Sequence, residues 1–162
     1  MKISIESLLG RIRDSMAEVD VEVKWHAPRS PARSVPTFSP TRRRALSPLL
    51  AEYYRQVGVV TVDSQRILTP AGMARPIRSR AVLGYHRALR ENWEDSAPQR
   101  YKDGDLGLLS YTPELIDHLT YLVWTKFSRE PEVWHYSGMQ EDRFDDLWHY
   151  LRWLAGEQES RP

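Results

Sequence analysis

The sequence has no cysteine, which removes a disulfide framework, a cysteine-ligated zinc site and a thiol nucleophile together. No covalent staple is needed, because a chain of 162 residues can withdraw roughly 70% of its unfolded surface from water. Long apolar runs are missing too. No stretch approaches the ~20 residues of a membrane span. The N-terminal segment MKISIESLLGRIRDSM breaks its apolar residues with charge, unlike the continuous core of a secretory signal. These features lead to the expectation of a cytoplasmic protein with no membrane association. The patterns GxxxxGK, GxGxxG and GxSxG are absent. The sequence therefore offers no phosphate-cradling loop, dinucleotide fingerprint or hydrolase elbow, and neither a catalytic centre nor a cofactor is expected.

What the chain does have is apolar bulk and divided charge. Hydrophobic residues make up 41%, with six Trp and eight Tyr, enough to fill a core. The net charge is only +1, yet residues 1–80 hold 14 Lys and Arg against 7 Asp and Glu, while residues 81–162 hold 9 against 15. Such a split either attracts a charged partner or is neutralised between the two halves of one fold.

Ile5, Leu8, Leu9, Ile12, Met16 and Val19 recur at helical spacing behind Ser4, a plausible cap, and predict a helix over 5–18. VEVKW (21–25) alternates like a half-buried strand. Residues 28–44 then hold four Pro and five Arg, with only Val35 and Phe38 as anchors, and read as a loop or extended arm. Ser47 caps the next helix with Pro48 at its first position, and Leu49, Leu50, Tyr53, Tyr54 and Val57 form its apolar face before Gly58. A short strand is expected at 59–62, another strand or a turn at 65–70, and a helix at 76–92. A tight turn at Lys102-Asp103-Gly104-Asp105 precedes strands at 106–111, 118–127 and 132–138. The closing helix is expected to start at Asp142 and to carry Phe144, Leu147, Trp148, Leu151 and Leu154 on one face. Together these predict one α+β domain over 1–162: a mixed, largely antiparallel sheet with helices packed on it, closed by the C-terminal helix.

Candidate chemistry is sparse. Asp145, Asp146 and His149 share one helical turn, and His118 and His135 could join them as metal ligands. Capping explains the aspartates more simply, and no metal is expected. Asp103 with Asp105, or Asp117 beside His118, could form acid–base pairs, but turns favour Asp for backbone reasons. Arg42, Arg43 and Arg44, with Arg29 and Arg33 upstream, could neutralise phosphates, although only Phe38 is at hand to stack on a base. Counted from Phe144, Trp153 falls off the apolar stripe of the last helix. It is either covered by another segment or offered to a partner.

Three segments taken together resemble the SUKH superfamily of immunity and cell-wall-assembly-regulator proteins. SPLLAEYYRQVGVVTV (47–62) resembles its N-terminal signature, YLVWTKFSREPEVWHYSG (121–138) its paired strands, and FDDLWHYLRWLAGE (144–157) its closing helix. The resemblance implies an α+β fold and the role of a small cytoplasmic bacterial immunity protein, whose partner is a cognate toxin domain. On physical grounds the surface acids Asp103, Asp105, Glu130 and Glu132, with Trp153, are the candidate partner-binding residues, since an acidic face suits a basic, nucleic-acid-binding toxin. The alternative is a nucleic-acid-binding or regulatory protein using Arg42–Arg44.

Overall fold

Helix α1 (Ile5–Ala17) begins where the Ser4 hydroxyl accepts from the Ser7 amide at 3.1 Å, and it buries Ile5, Leu8, Leu9 and Ile12. The computed structural model describes residues 3–28 and 32–157. Strands β1 (Val23–Trp25), β4 (Val60–Val62), β5 (Gln65–Ile67), β6 (Leu106–Tyr111), β7 (His118–Val123), β8 (Glu132–Ser137) and β9 (Gln140–Phe144) form a seven-stranded sheet in the order β1-β4-β5-β6-β7-β8-β9. Every neighbouring pair is antiparallel, which completes the expected α+β architecture. Among the described residues no helix is long and apolar enough to cross a membrane.

Two expectations change. The Pro/Arg-rich arm is not wholly irregular: β2 (Ser34–Pro36) and β3 (Arg43–Ala45) pair as a separate hairpin. Val35 and Phe38 are its buried anchors, and Arg29 lies outside the described residues. Asp142 does not cap the last helix. It is buried within β9, opposite His135, and helix α6 (Leu147–Leu154) starts later, where Asp146 accepts from the His149 amide at 3.0 Å. Phe144 therefore ends a strand.

The sheet separates two unlike layers. Its first face carries Val23, Val60, Ile67, Thr120, Val133 and His135, and it is covered by α1, by α2 (Pro48–Gln56) and by α6. Its second face is covered only over β6–β9. There the hairpin and the helices α4 (Arg80–Asn92) and α5 (Ala97–Arg100) set Phe38 and His86 on Tyr121, and Trp93 on Tyr136. Each fully buried Leu, Ile or Phe in these layers contributes about 1.5–3 kcal/mol. Over β1, β4 and β5 no helix of the described residues lies on the second face: Lys24 and Arg66 are exposed and Thr61 is half-buried.

Candidate binding groove on the open half of the sheet

Strands buried on one side and solvated on the other alternate apolar and polar residues. The pairings Lys24↔Thr61, Thr61↔Arg66 and Arg66↔Tyr111 align one row of the polar set across four strands. The short helix α3 (Pro70–Met73), the turn around Pro76 and the start of α4 stand beside this row, with the loop containing Pro113 and Ile116 at its end. They bound a groove of about 780 Å³. Arg66, Arg75, His26, Thr61, Ser79 and Tyr111 supply its polar lining, and neither Asp nor Glu lines it. Among the described residues Arg66 and Arg75 have no ion pair. A second cavity of about 570 Å³ adjoins it through the shared residues His26, Val59, Ala71 and Gly72. Gly58 fixes that junction. Its amide donates to the His26 carbonyl at 2.7 Å, and a Cβ there would stand 2.6 Å from the Ala27 carbonyl oxygen.

The sequence-predicted partner residues lie elsewhere, and the acids among them are engaged within the chain. Asp103 accepts from Arg90 and bonds His86 at 3.0 Å. Burial pushes its carboxyl up, but the bonds from Arg90 and His86 outweigh this and hold it below its ordinary value. Asp105 pairs with Arg44, whose Nε also donates to the Gly104 carbonyl, and Arg42 stands 3.8 Å from the same carboxylate. Glu130 accepts from the Leu49 amide at 3.0 Å and so helps cap α2. Glu132 accepts from the Trp134 indole at 2.8 Å. Arg43 donates to the Ser34 hydroxyl at 2.9 Å. Arg42 and Arg44 of the basic arm thus meet Asp105 of the acidic half inside one fold.

Trp153 is half-buried and belongs to an aromatic cluster, its ring 5.2 Å from Phe144 and 5.5 Å from His135. Its apparent misplacement came from counting helical positions from Phe144. Counted from Tyr150 it flanks the buried stripe of α6.

Two polar networks that sequence reasoning missed cross the core. On the first face Gln65 donates to Ser110 and Tyr150, Ser110 donates to Thr120, and Thr120 bonds His135 at 2.7 Å. Burial, helped by nearby His118 and opposed by Asp142, lowers His135 to about 4. On the second face Tyr121, His86 and Asp103 are joined in a line by bonds of 2.9 and 3.0 Å, in the order of a nucleophile, a base and its orienting acid. Tyr121 is fully buried, however, and burial raises its phenol well above the ordinary value, so no substrate reaches an ionised oxygen. Burial likewise lowers His86, outweighing its bond to Asp103. Both lines satisfy buried polar atoms that would otherwise be costly.

Asp146 contacts its own helix through the His149 amide and Nδ1, the latter at 2.7 Å. Among the described residues no three His, Cys, Asp or Glu side chains converge to hold a metal ion. No family model, curated protein or solved structure matches this chain.

Proposed function

We propose that the protein acts by binding a second protein, as an immunity-type module that covers the working surface of a toxin domain. The observation that carries this reading is the uncovered second face of β1, β4 and β5, which forms a lined groove on an otherwise covered sheet. A part-apolar surface bearing a few cations can seat a segment of a partner protein of complementary charge. The resemblance of 47–62, 121–138 and 144–157 to the SUKH superfamily supplies the toxin-neutralising role and the cytoplasmic location. The two buried networks fit a body built to hold its shape, since satisfied polar networks rigidify and specify one core. Engagement of Asp103, Asp105, Glu130 and Glu132 within the chain moves the proposed contact face from those acids to the groove. The nucleic-acid alternative loses support, because Arg42 and Arg44 face Asp105 and Arg43 bonds Ser34.

The test is co-expression with a candidate toxin taken from the genes that neighbour this one. Growth should be restored against that toxin and not against unrelated toxins. Rescue from none of them, or turnover of a small substrate by the purified protein, would remove the reading.

A further inference from the structure

Resting on the protein-binding reading, we propose that the groove docks an extended, acidic segment of the partner that carries apolar residues between its carboxylates. Arg66 and Arg75 line it without a carboxylate among the lining residues and without an ion pair among the described residues, so the unbalanced charge there is positive. An acidic segment complements it. The walls between the cations are apolar, formed by Val59, Leu68, Pro76 and Ile116. An extended chain turns successive side chains to opposite sides, so alternating acidic and apolar residues can meet both surfaces.

Apolar surface continues past the Ile116 end. The Gly138 amide donates to the Asp117 carbonyl at 3.2 Å and ties the β8–β9 turn to the β6–β7 loop. Leu115 and Met139, on that loop and turn, are 72% and 92% exposed. Exposed apolar groups beside a cationic groove favour a peptide over a nucleic acid, whose bases need stacking faces. Among the described residues Tyr111 and His26 are the aromatic rings that line the groove, and Tyr111 is half-buried.

The test is fluorescence anisotropy with the full chain and a labelled peptide of alternating Asp and Leu. A peptide with Lys in place of Asp and an oligothymidylate serve as comparisons. The acidic peptide should bind, the basic one should not, and affinity should fall as salt screens the contact. Arg66→Glu and Arg75→Glu change exposed side chains and should leave the circular dichroism spectrum intact. Each should weaken binding roughly tenfold, and Leu115→Ser should weaken it by a smaller factor. Binding that ignores both charge reversals, or that is equal for the Lys peptide, would overturn the proposal. Tighter binding of oligothymidylate would overturn it in favour of a nucleic acid. The two readings fail separately. Toxin rescue that survives the double reversal sinks the groove alone, whereas charge-dependent peptide binding without any rescue sinks the immunity role alone.

Discussion

His135 is enclosed by Thr120, Tyr150, Trp153 and His118 and is held neutral, with its pKa lowered to about 4. An unfolded histidine takes up a proton near its ordinary value of about 6.5, so in this range the unfolded chain binds more protons. Stability contributed by neutral His135 is therefore present above about pH 6.5 and is lost as pH falls towards 4, by on the order of 3 kcal/mol. His86 is lowered as well and acts with the same sign. Asp103, held below its ordinary value, adds a loss at lower pH, beginning only as pH falls through the unfolded value of about 3.9. Urea unfolding across this range should show a steep acid limb that His135→Gln flattens between pH 6.5 and 4. Asp103→Ala removes the acceptor of both Arg90 and His86. It should cost about 1–2 kcal/mol by the same measurement at neutral pH.

At the scale of elements, the sheet's strands other than β9 and the caps of α1 and α2 were legible because period and capping chemistry are local. LGLLSY became β6 over its full length, and Ser4 and Ser47 cap as their types require. Strand β9 was not legible: QEDRF carries one apolar residue, and its place in the sheet comes from pairing with β8 across the Gly138 turn, whose φ of +58° suits glycine. Two aspartates ahead of an apolar run then pointed to a helix start at the wrong one. Asp146→Ala should lower stability by about 1 kcal/mol, the usual worth of an N-cap, as read by chemical denaturation. The hairpin of the basic arm was hidden for a similar reason, since its order depends on long-range burial of Val35 and Phe38. Phe38 stacks on His86 with ring centroids 4.1 Å apart. Phe38→Ala should destabilise the fold by about 3 kcal/mol through the cavity it leaves. Among site residues, the groove had one faint signal: Lys24, Thr61 and Arg66 occupy the polar positions of strands whose other face is apolar. Whether such a face is bare or covered is decided by where distant helices pack, and no local pattern reports it.

For the whole molecule, part of the division of charge between the two halves is spent on holding them together, as the pairing of Arg44 with Asp105, which Arg42 also approaches, shows. Two of the cations without an ion pair among the described residues, Arg66 and Arg75, line the groove beside the bare half of one sheet face. Hydroxyl-radical footprinting of the protein alone and in complex with the proposed toxin partner tests the assignment of this face most directly, because exposed Met, Phe and Tyr oxidise readily. Met139 and Phe127, 92% and 98% exposed, stand at opposite ends of the β7–β8 hairpin and provide probe and control. The account predicts that Met139, Leu115 and Tyr111 become protected while Phe127 oxidises as before. Protection of Phe127 with no change at Met139 and Tyr111 would contradict it.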